Sequence, residues 1–261
     1  MPEATISLKD KVVLQFGGSG LLGRAMVDGI ARAGATLIVA SRDANVISAD
    51  ADRLRAAGCK VHLENVDLLS EKSILDLLGR ITKAHGRLDG MVYNAVNRPM
   101  SAGFDDDISK WEESMRLNAT GFFATVRATG NVMAKQGSGS IVNISSQMGS
   151  IGFNPYLYEG TAMKTAPDYF FHKGGMNNFT RFLASHYGPQ KVRVNVVAPG
   201  GIFNPARPQE KAFLERYNKM TMLGRMANAE EINGAVIYLL SDASTYVTGA
   251  IIPVDGGYTA K

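Results

Sequence analysis

The chain has one cysteine, Cys59, in 261 residues. No intrachain disulfide is available, which suits a reducing, cytoplasmic setting. No apolar run approaches the ~20 residues that a bilayer-spanning helix needs, so no membrane partner is expected. The opening Met1-Pro2-Glu3-Ala4-Thr5 lacks the basic-then-apolar pattern of a secretory leader. No Pro-, Gly- or Ser-rich linker and no shift in composition divides the chain. It reads as a single domain over 1–261, long enough to bury a large core. The four histidines, His62, His85, His172 and His186, lack metal-ligand spacing, so no metal is expected. The 28 basic residues only slightly outnumber the 24 acidic ones, for a net charge of +4. They are scattered rather than gathered into a stripe, which argues against a nucleic-acid groove. A solvated surface accounts for them, and a small anionic ligand suits them too.

What is present is an alternation. Short, β-branched apolar runs occur at 12–16, 36–40, 60–65, 91–94, 141–144, 193–198 and 251–254. Longer amphipathic patterns lie between them, near 22–34, 44–57, 71–86, 108–135, 167–187 and 229–240. Strand, helix, strand, repeated, predicts an α/β fold: a Rossmann-type, doubly wound parallel sheet of about seven strands with helices on both faces. The stretches 147–168 and 202–224 fall outside this rhythm and are expected to be loops beside a ligand site.

The first strand runs into Phe16-Gly17-Gly18-Ser19-Gly20-Leu21-Leu22-Gly23, and a helix follows at once. A pyrophosphate needs backbone N–H groups at close range and the positive end of a helix. Gly17 suits the tight turn, Gly20 the close approach of phosphate, and Gly23 the packing of helix on sheet. The backbone and side chains of Ser19 and Leu22 belong to the same cradle. A tight strand–helix connection with no ligand is the plainer alternative. The second strand ends at Ser41-Arg42. An acid here would hold a ribose 2′-hydroxyl, whereas an arginine pairs with a 2′-phosphate. The pattern therefore favours NADP(H) over NAD(H), unless Arg42 is only a solvated surface residue.

Tyr169-Phe170-Phe171-His172-Lys173 lies in a helical stretch, and residues four apart share a helix face. A free phenol titrates near 10 and is a poor base at neutral pH. A cation about 4 Å away contributes roughly 4 kcal/mol at an effective dielectric near 20, equivalent to about three pKa units. Tyr169 and Lys173 thus form a candidate acid/base pair, with a core tyrosine beside a surface lysine as the alternative. The strand at Ser140–Ser146 ends in two hydroxyls, where open parallel sheets bind ligands. Ser146 can hydrogen-bond a carbonyl there and stabilise developing charge, or simply cap a turn. Asn118 falls in mid-helix, a poor place for asparagine, so some compensation is expected around it.

Taken together and in this order, these residues resemble the compact branch of the short-chain dehydrogenase/reductase family, from about Leu8 to Tyr258. The glycine turn, Asp67, Asn94-Ala95, Asn118, Ile144-Ser145-Ser146, Tyr169/Lys173, Pro199-Gly200 and Val254-Asp255-Gly256-Gly257 carry the resemblance. It implies a nicotinamide-dependent enzyme interconverting a carbonyl and a secondary alcohol by hydride transfer. Tyr169 would exchange a proton with the substrate oxygen, and Lys173 would favour the ionised phenol and bind the nicotinamide ribose. Ser146 would orient the substrate, and Asn118 would hold a water in a proton relay to Lys173. Asp67 and Leu68 would meet the adenine, Asn94 and Ala95 would line the cleft, and Pro199, Gly200 and Ile202 would flank the nicotinamide. The family also implies a homotetramer built on the helices near 108–135 and 167–187.

Several positions depart from the family pattern. Phe16 replaces a Thr, Tyr93 an Asn and Val96 a Gly, Leu21 stands at the middle glycine of the compact branch, and Asn204 stands where a Thr usually follows. The glycine spacing resembles the extended, sugar-nucleotide branch, so a non-redox epimerase or dehydratase remains an alternative. A catalytically silent dinucleotide-binding protein is another. The segment between Ser146 and Tyr169 is roughly ten residues longer than is usual in the family, and extra length beside a site often carries function. Tyr158-Glu159-Gly160-Thr161 and Gly200-Gly201-Ile202-Phe203 are similar to reductases of bacterial surface-sugar and flagellin-glycan pathways. That similarity implies a sugar-derived carbonyl or alcohol as the small-molecule substrate.

Overall fold

In a parallel sheet covered on both sides, each strand must be apolar on both faces. Strand β1 (Val12–Phe16) is buried at every position, as is β4 (Gly90–Tyr93). With β2 (Thr36–Ser41), β3 (Lys60–Asn65), β5 (Gly139–Ile144), β6 (Val192–Pro199) and β7 (Ile251–Val254) they form one seven-stranded sheet, ordered β3-β2-β1-β4-β5-β6-β7. Every pairing is parallel. The computed structural model describes residues 6–261; Met1–Thr5, read above for a leader pattern, lie outside them.

Alternate side chains of each strand enter two separate cores. Leu14, Phe16, Met91, Tyr93 and Ile141 pack on one face against α3 (Glu71–His85), α5 (Phe122–Gln136) and α6 (Pro167–Tyr187). Val13, Leu37, Val39, Val92 and Val142 pack on the other against α1 (Leu21–Arg32), α2 (Ser48–Ala56) and α8 (Asn233–Leu240). Helix α3 shows how sequence sets these elements. Ser70 caps its start by accepting from the Ser73 amide, Ile74, Leu77, Leu78 and Ile81 form the buried stripe, and Gly86 ends it in the left-handed region at φ 71°. A third, smaller cluster of Leu157, Phe213, Tyr217, Met226 and Tyr258 lies apart from the sheet.

Three sequence expectations change in detail. The pattern near 108–135 is not one helix: α4 (Ile108–Met115) and α5 are joined by a π-helical turn, Arg116–Gly121, around Asn118. The patterns near 44–57 and 229–240 open as 3₁₀ turns, Ala44–Ile47 and Ala229–Ile232. The stretch 202–224 is not all loop, because it contains α7 (Lys211–Met220), whose buried residues are Phe213 and Tyr217. Phe213 and Tyr217 carry the i, i+4 spacing of a short amphipathic helix, a signal that the reading as loop passed over.

Candidate active site

Strand order reverses between β1 and β4, so a crevice opens at their carboxyl ends. The glycine turn enters it. Gly17 adopts φ +82°, and a Cβ there would meet the Ala95 amide nitrogen at 2.7 Å. A Cβ on Gly23 would sit 2.3 Å from the Gly17 carbonyl oxygen, whereas one on Gly20 would meet nothing within 4 Å. The turn is therefore locked at Gly17 and Gly23 and open towards the crevice at Gly20. Asn94 Nδ2 donates to the Gly17 carbonyl at 2.8 Å, fixing the turn to the end of β4.

A cleft of about 390 Å³ runs from this turn across β2 and β3, lined among others by Gly17, Ser19, Gly20, Ser41, Arg42, Asp67, Leu68, Asn94 and Ala95. The Asp67 carboxylate accepts from the Leu69 amide at 2.9 Å, which fixes the floor. No hydrogen bond or ion pair holds the Arg42 guanidinium among the described residues. Exposed backbone at a helix start, a floor for a flat ring and a free cation beyond β2 fit an adenine dinucleotide. A cavity of about 680 Å³ continues from the cleft. Leu22, Gly23, Ser146, Tyr169, Pro199, Gly200 and Ile202 line it, and Gly20, Asn94 and Val96 line both spaces.

Tyr169 lies in the first turn of α6, which opens with Pro167. The Arg98 guanidinium carbon lies 4.2 Å from its ring centre on one side, and Lys173 Nζ lies 5.6 Å from it. His172 meets the ring edge-on at 5.2 Å between centroids. Lys173 lies behind the cavity wall, buried, and donates to the Ile144 carbonyl at 2.7 Å. Desolvation first, then the nearby Arg98 charge, lowers its ammonium to about 7. Burial, with the Lys173 and Arg98 charges, likewise lowers the His172 imidazole to about 3. Neither of its ring nitrogens has a hydrogen-bond partner.

Asn118 does not reach the cavity. Its amide donates to the Asn97 carbonyl at 2.6 Å and to Ser114 Oγ at 2.9 Å, and its oxygen accepts from the Asn97 amide at 2.9 Å. Ser114 Oγ in turn donates to the fully buried Asp168 carboxylate. The compensation expected around Asn118 is thus a π-helical turn, a frequent mark of functional sites, stitched to the β4 loop and to the residue before Tyr169.

Sequence reasoning missed Asp168, because an acid in the first turn of a helix reads as an ordinary dipole-favoured surface residue. It also missed Gln147 and Tyr217. The Tyr217 hydroxyl accepts from the Gly201 amide and donates to Gln147 Oε1 at 3.1 Å, and burial pushes it up to about 12. Gln147, next to Ser146 on the strand end, was the available signal. Of the long segment after Ser146, its two ends and Tyr158 reach the cavity, with Met163 and Lys164 at the far end. Glu159 contributes its carbonyl to Arg216 instead.

A family model described as enoyl-(acyl carrier protein) reductase matches residues 19–259. The chain is 32% identical over 254 residues to the 3-oxoacyl-(acyl-carrier-protein) reductase of Aquifex aeolicus, covering 97% of this chain and 98% of that protein. It is 32% identical over 246 residues to the L-tagatose-forming galactitol 2-dehydrogenase of Cereibacter sphaeroides, covering 93% and 92%. Its fold superposes with a TM-score of 0.88, at 26% identity and 98% coverage of each chain, on a Burkholderia cenocepacia gluconate 5-dehydrogenase in complex with NADP and tartrate. This chain belongs to the short-chain dehydrogenase/reductase family. It is an NAD(P)-dependent oxidoreductase that interconverts a carbonyl and an alcohol.

Proposed function

We propose that the enzyme uses NADP(H) to interconvert a sugar-derived carbonyl and its secondary alcohol, with Tyr169 exchanging the proton. The observation that carries this reading is the continuity of the two spaces: Gly20 and Asn94 line both the dinucleotide cleft and the cavity that contains Ser146 and Tyr169. When bound, the nicotinamide supplies or takes the hydride. The Ser146 hydroxyl donates to the substrate oxygen and holds it beside Tyr169, which gives up its proton in reduction and regains it in oxidation. Arg98, stacked on the Tyr169 ring, and Lys173, four residues on in the same helix, hold the phenol in place against the cavity. Asn118, through Ser114 and Asp168, joins the segment carrying Arg98 to the helix carrying Tyr169. Asp67 and Leu68 meet the adenine, and Pro199, Gly200 and Ile202 flank the nicotinamide.

Ser41 followed by the unpaired Arg42 supports NADP(H). Relatives named for galactitol and gluconate, together with the wall of hydroxyl, amide and aromatic groups at Tyr158, Asn204 and Gln209, support a polyhydroxylated substrate. A homotetramer is supported by aromatic faces left exposed on α5 and α6, at Phe123, Phe171 and Phe182. The single half-buried Cys59 suits the cytoplasm.

The test is Tyr169→Phe, assayed by reduced-nicotinamide absorbance and by cofactor titration. Turnover falls about 10²–10⁴-fold with cofactor affinity kept; a near-normal kcat overturns the assignment. In the wild type, cofactor binding with no turnover of any carbonyl supports a silent binding protein. Product without net redox supports an epimerase or dehydratase.

A further inference from the structure

We propose that the substrate carries an anionic group, a carboxylate or a phosphate ester, seated by Arg98, Lys164 and Arg207. The proposal rests on the reading of the larger cavity as the substrate site. Three separate segments bring these cations to the lining of one cavity: the loop after β4, the end of the long loop before α6, and the loop after β6. Among the described residues, no aspartate or glutamate lines the same cavity, although acids make up 24 residues of the chain.

Among the described residues, none of the three side chains is held by a carboxylate or a hydrogen bond. Elsewhere cations are held: Arg24 by Asp50, Arg53 by Asp28, Arg80 by Glu64 and Arg225 by Glu231. Glu210, close to Arg207 in the chain, accepts from the Ala162 amide instead. Three like charges around one concavity repel each other and focus a positive potential into it. A bound anion relieves that repulsion, and the two guanidinium forks match its oxygens. Arg98 also stacks on Tyr169, so the anionic group lies close to the carbon that reacts. The cofactor's own phosphates would face the glycine turn, whose Gly20 lines both spaces, and Arg42 in the cleft, so the variants must be read on NADPH binding as well as on the substrate.

The experiment measures binding and turnover separately. Calorimetry on the enzyme–NADPH complex compares gluconate and sorbitol 6-phosphate with neutral sorbitol. Initial rates with NADP⁺ compare the same three compounds. An anionic member binds at least about tenfold tighter than sorbitol, the scale of one charge-assisted hydrogen bond, and the advantage shrinks as salt rises. Whether carboxylate or phosphate gains more identifies the anion. In Lys164→Gln/Arg207→Gln the anion-to-neutral ratio falls about tenfold and the Kd for NADPH changes less than about twofold. Arg98→Gln lowers the same ratio.

Equal binding of all three compounds overturns the inference even if the enzyme turns them over. So does a ratio unchanged in the double variant. A tenfold loss of NADPH affinity in that variant assigns the cations to the cofactor and also overturns it. Selective anion binding with no turnover upholds the inference and counts against the proposed redox function instead.

Discussion

The dinucleotide cleft and the cavity beside it share Gly20 and Asn94 but are made of different material. The cleft is largely backbone, formed by a glycine turn, strand ends and a floor aspartate bound to a main-chain amide. Its tolerances are tight, since a Cβ at Gly17, Gly18 or Gly23 would come within 3 Å of neighbouring atoms. The cavity is largely side chain, with Met, Tyr, Gln, Arg and Lys contributed by loops and by α7. Its joints are the bridge between Ile202 and Ala227 and the Tyr217 hydroxyl between Gly201 and Gln147. One end is shaped for a ligand of fixed form, and the other can change residue by residue without disturbing the sheet.

The sharpest way to break this contrast is Gly23→Ala. The added Cβ meets backbone rather than a flexible side chain, so the turn must open. Cofactor affinity falls about a hundredfold or more, near 3 kcal/mol, the upper range for overpacking. Fluorescence titration checks it, and an affinity near wild type would show the turn to be softer than described. Arg42→Ala probes the one side-chain contact expected at the cleft's far end. It lowers kcat/KM for NADPH about tenfold and leaves NADH nearly unchanged. A wild type that prefers NADH, unaffected by the change, removes the NADP(H) assignment.

A smaller effect concerns pH and the helix between the two regions. His172 is held near 3, well below its ordinary 6.5, with Lys173, Arg98 and Tyr169 around it. Between pH 6.5 and 3 the unfolded chain takes up a proton that the folded one refuses, so stability falls as pH falls through that window. Lys173, held near 7 against an ordinary 10.5, has the same sign in a higher window. Cofactor-free stability therefore rises from pH 7 towards 10.5 on its account. The melting-temperature difference between wild type and His172→Gln shifts against the wild type as pH falls from 6.5 to 3 and is constant above 6.5; parallel curves across that window would refute the assignment. Smallest is Tyr93→Phe. Tyr93 and its register partner Phe16 stand where the family has polar residues. Their rings are 6.3 Å apart, and the buried Tyr93 hydroxyl has no partner. Removing it raises stability by up to about 1 kcal/mol, read from the denaturant midpoint.

The same division explains what was legible in the sequence. All seven strands fall within two residues of their expected ends; the inner ones, buried on both faces, produce apolar runs such as Leu37–Ala40. The glycine turn was legible because close backbone approach admits almost no other residue. The cavity was less so. Arg98, Lys164 and Arg207 lie far apart in the chain and look like surface cations until folding brings them to the lining of one cavity. Helix α7 is amphipathic, with Phe213 and Tyr217 on its buried face, but it is short and lies outside the strand–helix alternation. The turn at Asn118 could be anticipated as a disturbance but not as a π-helix, since its cause lies in distant partners, Asn97 and the Ser114–Asp168 pair.

The separation of the third apolar cluster from the two that sandwich the sheet bears on how such an enzyme can diverge. Leu157, Phe213, Tyr217, Met226 and Tyr258 support the cavity roof and share little packing with the strands. A lineage can exchange these residues, lengthen the loop after Ser146 or recruit a new charge at its rim, and the stability lost is confined to the roof. The dinucleotide end keeps its full margin above the threshold for folding while such changes accumulate. New specificities then become reachable by single steps, each of which leaves a folded, cofactor-competent ancestor for the next.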